Sequence, residues 1–261
     1  MTRIDIELVN RKIFETRNQA QNEIKNGIVY CNGKKILKNS YEVNEDDKIE
    51  IKGNTLKYVS RGGLKLEKAL KEFNIDLNNK VMLDIGSSTG GFTDCALQNN
   101  IKKVVDIDVG QNQLVDKIRN DNKVIVFEKT DIRDFDNKLL EIIDIITIDI
   151  SFISVTKILD KLKTISNAKE IICLIKPQFE CGKDIADKYK GIILNKEIHE
   201  KIIIRIISAF KEIDYYIKGL TYSPIKGGNG NIEYLAYFTK NNNNNMVNIH
   251  EIVKESFKDL K

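Results

Sequence analysis

Five apolar runs in the middle of the chain leave little freedom in what it can fold into. VMLDI (81–85), KVVDIDV (103–109), VIVFE (124–128), IDIITIDI (143–150) and EIICLIK (170–176) are short, rich in Val and Ile, and separated by polar, turn-forming or helix-like segments. They do not alternate apolar with polar, so each strand must be covered on both faces. Parallel sheets with crossover helices meet that requirement. Residues 196–213 then read as a long amphipathic helix. Two more strands follow, YYIKGLTYS (215–223) and IEYLAYFT (232–239). The short Gly-rich link PIKGGNGN between them suits an antiparallel pair. The pattern predicts an α/β fold: a Rossmann-like, mostly parallel sheet whose last strand runs antiparallel, closed by a C-terminal helix, VNIHEIVKESFKDL.

Ahead of this lies a different pattern. Residues 3–26 read as two short amphipathic helices, the second capped by Thr16 and closed by Gly27. IVYC (28–31), the turn NGK (32–34) and VNEDDKIEI (43–51) read as strands joined by tight turns. This small α+β unit has too little apolar content to be an enzyme core, so 1–53 is expected to be an appended module and 54–63 a linker. Residues 64–240 form the main domain. Residues 241–261 are an Asn-rich connector and a helix. A chain of 261 residues has room for this division.

Composition narrows the function. The net charge of +4 is mildly basic and compatible with nucleic acid. The N-terminus, MTRIDIELVNRK, is charged from Arg3 onward and lacks the apolar core of a leader. The most apolar run is interrupted by Asp144 and Asp149, so no membrane span is expected and the reading is a cytoplasmic protein. Cys31, Cys95, Cys173 and Cys181 are scattered without metal-ligand spacing, and His199 and His250 are the only histidines. Reduced thiols and no metal are expected.

DIGSSTGGFTD (84–94), after the first apolar run, is the densest local signal. A phosphate-binding P-loop requires a lysine followed by Ser or Thr after its last glycine; here Phe92 follows Gly91. A dinucleotide turn requires G-x-G-x-x-G, and Gly86, Gly90 and Gly91 do not give it. S-adenosylmethionine has no phosphate. It needs a close backbone approach, a helix N-terminus near its carboxylate and an acid for its ribose hydroxyls. Asp84, Gly86, Ser87, Ser88, Thr89, Gly90, Gly91 and Phe92 are therefore candidate cofactor residues. Asp108 at the end of the second strand is the candidate for the ribose, with Asp106 in reserve, and Asp131 after the third is the candidate for adenine. At two further strand ends stand Asp149 and Lys176, a carboxylate and an ammonium beside the expected cofactor.

SRGGLKL, DIGSSTGGFTD, DISFIS, LIKPQFE and GNIEY resemble, in order, the motifs of the TlyA family, which also carries the name haemolysin A. Its catalytic domain is similar to the FtsJ (RrmJ-like) 2′-O-methyltransferases, and residues 1–53 resemble the S-four RNA-binding domain. The resemblance implies methylation of ribose 2′-hydroxyls, on cytidines of small- or large-subunit rRNA, with S-adenosylmethionine as cofactor and ribosomal subunits as partner. It implies a tetrad of Lys65, Asp149, Lys176 and Glu233. It also implies RNA contacts from the small module, and Arg3, Arg17, Lys25 and, beside Lys65, Arg61 are the candidates. Lys12-Ile13 departs from the Arg-Gly common in that module. In such a tetrad Lys176 is assigned as base, the alternative being a fixed hydrogen-bonding and electrostatic element. A free lysine at about pKa 10.4 would have to come down to about 7–8 for that task. The competing classes are a non-catalytic ribosome-binding assembly factor and a membrane-active haemolysin. The intact tetrad speaks against the first and the absence of any apolar span against the second.

Overall fold

The structure is a computed structural model. It describes residues 1–14, 16–25, 27–53, 57–242 and 246–260. Parts of the expected linker (54–56) and of the Asn run (243–245) lie outside the described residues. The chain divides into two compact units, Met1–Ser60 and Arg61–Lys261.

In the first unit, β1 (Thr2–Arg3) leads into α1 (Ile4–Asn10), followed by α2 (Arg17–Lys25). Thr16 caps α2 by accepting from the Gln19 amide, and Gly27 closes it at φ +71°. β2 (Val29–Cys31) turns through Asn32 and Gly33, both at positive φ, into β3 (Lys34–Lys35). This is the Asn-Gly geometry whose twist matches a hairpin. β4 (Glu42–Val43) pairs with β1, and β5 (Ile49–Ile51) pairs with β2. The β1–β4 pair is two residues long, too short to show in the sequence pattern. Ile4, Leu8, Phe14, Ile24, Val29 and Val43 fill the core. Arg11 is a clamp: it pairs with Glu7 and donates to the backbone oxygens of Asn44, Glu45 and Asp47. Lys12, in the turn after α1, adopts φ +56°.

The second unit begins with α3 (Gly62–Glu72), which takes in two residues of the expected linker. Its Leu66 and Leu70 are buried; Leu64 and Phe73 are half-buried, Phe73 stacking on Tyr237. Then come β6 (Val81–Ile85), α4 (Gly91–Gln98), β7 (Lys103–Ile107), α5 (Asp116–Arg119), β8 (Val124–Phe127), β9 (Ile145–Ile148), α6 (Leu159–Thr164), β10 (Glu170–Ile175), α7 (Pro177–Glu180), α8 (Lys183–Lys188), α9 (Lys196–Lys211), β11 (Tyr216–Tyr222), β12 (Tyr234–Thr239) and α10 (Ile249–Asp259). The sheet order is β11-β12-β10-β9-β6-β7-β8. β8, β7, β6, β9 and β10 pair in parallel, and β12 is antiparallel to both of its neighbours. The expected α/β architecture, with its antiparallel last strand, is the observed one.

The central strands of the sheet are buried on both faces, as their near-continuous apolar runs require, while the edge strands β8 and β11 are only partly covered. One large cluster joins Leu83, Val105, Ile146, Ile171, Phe210 and Phe238, the last two stacked at 4.1 Å. Asn195 and Asn248 cap α9 and α10 through their side-chain oxygens. His199 is buried between the Tyr234 hydroxyl (2.7 Å) and the Ile193 carbonyl (3.0 Å). Burial pushes its pKa down to about 4, so it is a neutral packing group.

Candidate active site

The parallel strands end on one edge of the sheet, where ligands of open α/β sheets sit. Ile85 leads to Gly86, Ile107 to Asp108, Ile148 to Asp149 and Ile175 to Lys176. β12 runs the other way. Its Tyr234 pairs with Ile175, so the residue before it, Glu233, arrives at this same edge.

A cavity of about 340 Å³ opens there, lined by Gly86, Ser88, Asp108, Asp131, Asp149, Ser151 and Phe152 with the apolar Ile107, Val109, Ile132 and Ile150 among others. Gly86 lies at φ +87°, and a Cβ on it would stand 2.7 Å from the Asp149 carbonyl oxygen. Only glycine lets the loop run this close to the β9 end. Asp108 accepts from the amides of Ser88 (2.8 Å) and Gly110 (2.6 Å), which ties the loop to the end of β7. Asp131 is held below the usual carboxylate range by Arg133, 2.6 Å away.

Not every expected cofactor residue reaches the cavity. Gly86, Ser88, Asp108 and Asp131 line it; Ser87, Thr89, Gly90, Gly91 and Phe92 shape the turn and the start of α4 behind it. Asp84 is fully buried and faces Thr93 and Thr147 rather than the cavity. The reason is strand alternation: Ile85 lines the cavity, and the side chain before it points to the other face. Asp106, the reserve choice for the ribose, is likewise enclosed.

The four residues of the expected tetrad form two ion pairs. Lys65 donates to Glu233 at 2.7 Å, and Lys176 lies 2.5 Å from Asp149 and 2.9 Å from the Ser151 hydroxyl. Lys65, Lys176 and Glu233 are all less than a tenth exposed. Gln178 donates to the second Glu233 oxygen at 3.2 Å. Burial by itself would lower the Lys65 pKa. The charges of Asp149 and Glu233 outweigh it and raise the pKa, against a smaller push from Arg61. Lys65 is therefore an ammonium in this site. Asp149 both pairs with Lys176 and lines the cavity, so it joins the two halves of the site.

Three contributors were not singled out from the sequence. Phe152 stands 87% exposed on the cavity rim at φ +70°, its ring 5.2 Å from that of Phe179. Buried Glu180 accepts from the Val155 amide (2.7 Å) and the Ser154 hydroxyl (2.6 Å), and Arg205 donates to it at 3.1 Å. Ser151 anchors Lys176. All three lie inside DISFIS and KPQFE, so the motifs held the signal. Only their charged strand-end residues drew attention.

In the small unit, Arg3 and Arg17 both pair with buried Asp5, at 3.1 and 2.9 Å. Burial raises the Asp5 pKa, but donors from Arg3, Gln21 and Arg17 bring it down to about 2. Both guanidinium groups stay about half exposed, Lys25 is exposed at the end of α2, and Arg61 is exposed before α3. Among the described residues no helix is long and apolar enough to cross a membrane, and no group of three or more His, Cys, Asp or Glu could hold a metal ion.

Comparison with known proteins settles the family. The model described as FtsJ-like methyltransferase matches residues 58–240, and that of the S4 domain matches residues 2–49. The chain belongs to the FtsJ-like methyltransferase family. Hemolysin A of Brachyspira hyodysenteriae is 44% identical to it over 90% of this chain and 99% of its own. The 23S rRNA (cytidine-2'-O)-methyltransferase TlyA of Campylobacter jejuni is 37% identical over 89% of this chain and 98% of its own. A solved structure from Streptococcus thermophilus is 38% identical, with a TM-score of 0.78 over 99% of this chain and 96% of that one. The FtsJ-like match spans both lysines, both carboxylates and the whole glycine loop.

Proposed function

We propose that the protein transfers the methyl group of S-adenosylmethionine to the 2′-hydroxyl of a cytidine ribose in ribosomal RNA. The observation that carries this is the pairing of Lys65 with Glu233 and of Lys176 with Asp149, the last being one of three carboxylates that line the cavity.

The donor set fits the cofactor. Asp108, Asp131 and Asp149 line the cavity, and no lysine or arginine is among its lining residues. Such a lining repels a di- or triphosphate and attracts a ligand carrying an ammonium and a sulfonium. When bound, S-adenosylmethionine supplies a methyl group already activated for attack. The protein's remaining task is to align a ribose hydroxyl and take its proton. Asp108 is assigned to the cofactor ribose, Asp131 to adenine, and Gly86 to the close backbone approach.

Lys176 is assigned the base. Asp149 and Ser151 fix its amine at the cavity rim, and the Lys65 ammonium, itself aimed by Glu233, stabilises the negative charge that develops on the ribose oxygen. Phe152, exposed beside the cavity, offers a stacking face for the target base.

Residues 1–53 are assigned to RNA docking, through Arg3, Arg17 and Lys25, and 64–240 to catalysis; Arg61, just ahead of that span, is assigned to grip substrate phosphate. Such contacts position the RNA without reading its sequence. A ribosomal substrate places this work in the cytoplasm. The relatives named rRNA methyltransferases support the assignment of substrate.

The test is incubation of the protein, and of Lys176→Ala, with labelled S-adenosylmethionine and unmodified ribosomal subunits. The 2′-O-methyl is then mapped by resistance to alkaline hydrolysis. Label in rRNA from the native protein alone is the expected result. No label on either subunit overturns the reading.

A further inference from the structure

Beneath the glycine loop, closed off from the cavity, lies a chain of hydroxyls and carboxylates. Thr93, in the first turn of α4, places its Oγ1 2.9 Å from Asp84 Oδ2 on β6 and 2.7 Å from Asp106 Oδ1 on β7. Thr147 on β9 places its Oγ1 2.7 Å from Asp84 Oδ1. Asp84, Thr93, Asp106 and Thr147 are all at most 1% exposed.

A threonine hydroxyl has one hydrogen to give. Thr93 can donate to one of the two carboxylates, and must then receive from the other. An ionised carboxylate has no hydrogen to offer. Both short contacts are hydrogen bonds only if one of the two acids is protonated. The surroundings say which. Both oxygens of Asp84 are met by threonine hydroxyls. Asp106 Oδ2 is buried without a hydrogen-bond partner among the described residues. An ionised Asp106 would leave a bare anionic oxygen in the core, far costlier than the bare carbonyl oxygen of the neutral acid.

The charges that bear on the pair point the same way. Burial raises both acids. Asp84 goes up to about 7 against the pull of its two threonines, with Asp149 and Asp108 adding to the rise. Asp106 stands well above the usual carboxylate range, pushed by burial, then by Asp84 and, more weakly, by Asp108.

We propose that Asp106 is carried as the neutral acid and serves as a positioning residue: it donates to Thr93, Thr93 donates to Asp84, and the relay fastens the first turn of α4 to β6 and β7 beneath the cofactor loop. Its functional half rests on the reading of that loop as the S-adenosylmethionine site; its protonation stands apart from that reading.

The test is arranged so that the two can fail separately. Infrared spectroscopy of the ligand-free protein at neutral pH should show the carbonyl stretch of a buried, protonated carboxylic acid. Asp106→Asn should remove it and Asp84→Asn should keep it. A native protein without the band overturns the proposal, as does a band that vanishes in Asp84→Asn and persists in Asp106→Asn. Native protein alone decides the first point, should either variant fail to fold.

The pH dependence has a fixed sign. A carboxyl whose proton is held more tightly in the folded chain stabilises fully below its unfolded pKa, and that contribution is lost as pH rises through the folded value. Relative to Asp106→Asn, the native protein should therefore lose thermal stability steadily from about pH 4 upward. Parallel curves overturn the proposal.

For positioning, the probe is S-adenosylhomocysteine. Thr93→Val and Asp106→Ala should weaken its binding by on the order of tenfold, raising KM for S-adenosylmethionine with kcat nearly unchanged. Asp106→Asn, which can still donate to Thr93, should restore it. Equal losses in Asn and Ala variants would overturn the positioning role.

Discussion

Lys65 donates to Glu233 across 2.7 Å, although 168 residues separate them in the chain. Glu233→Ala would leave the Lys65 ammonium buried and without that partner. The expected cost is about 3–5 kcal/mol of stability, measured by urea unfolding. Removing both partners, in Lys65→Met with Glu233→Leu, should cost less than Glu233→Ala alone. The Lys65 pKa is raised in the folded state, so the pair's contribution is complete below about pH 10.4 and declines as pH rises beyond it. Indifference of stability to pH in that alkaline range would contradict the pairing.

Lys176→Ala should lower single-turnover methyl transfer by about 10²–10⁴-fold. Affinity for S-adenosylhomocysteine should be unaltered, because Lys176 is not among the residues lining the cavity. A variant that transfers methyl at the native rate would remove Lys176 from the mechanism.

Gly86→Ala combines an unfavourable φ of +87° with a Cβ 2.7 Å from the Asp149 carbonyl. The displaced backbone must move either the loop or the end of β9. The expected outcome is a loss of about 1–3 kcal/mol of stability. Calorimetry should show weaker S-adenosylhomocysteine binding, and kcat should fall as well, because Asp149 moves with its carbonyl. Gly182, also at positive φ but with open space around it, serves as the control in which cofactor affinity holds.

Glu180→Gln should loosen the segment that carries Asp149, Ser151 and Phe152. Glu180 gathers Val155, Ser154 and Arg205 onto one buried carboxylate. Losing the charge should cost about 1.5–3 kcal/mol by thermal unfolding. It should lower kcat more than it changes cofactor affinity.

Phe152→Ala should leave the melting temperature nearly unchanged, because the side chain is 87% exposed. The KM for ribosomal substrate should rise by roughly 5–160-fold, the equivalent of about 1–3 kcal/mol of base stacking. An unaltered KM would exclude the ring from substrate binding.

The sheet was open to prediction because its central strands are buried on both faces, which writes them as near-continuous apolar runs such as IITI and EIICLI. Asp108, Asp149 and Lys176 stood out as candidates because a strand end is a polar residue after an apolar run; Asp131 was reached from the turn that follows β8. Glu233 and Lys65 lie in segments with no such contrast, and only the motif resemblance reached them. Asp84 was expected at the cofactor and faces Thr93 and Thr147 instead, because position beside a glycine loop says nothing about which face of the strand a side chain takes. The pair Lys65–Glu233 was likewise invisible as a pair, because it depends on how β12 is placed against β10, whereas Asp149 and Lys176 already stood together at neighbouring strand ends. Phe152 was hidden differently. Within DISFIS it reads as one more core aromatic, and only a positive φ turns it outward.

The reversed direction of β12 has a consequence for how the molecule comes to be active. Six register pairs, from Glu170–Thr239 to Ile175–Tyr234, fix Glu233 beside Lys176. Had this strand run parallel to β10, the residue before it would lie at the far edge of the sheet, roughly 20 Å away at about 3.3 Å per residue. The reversal allows an acid near the end of the catalytic domain to complete a centre begun at Lys65. It also means that the centre depends on a long-range contact of the kind that forms slowly. The glycine loop and its acids are also synthesised well before the strand that brings Glu233 to Lys65. On the proposed reading, the residues assigned to the cofactor therefore come off the ribosome before the carboxylate that aims Lys65.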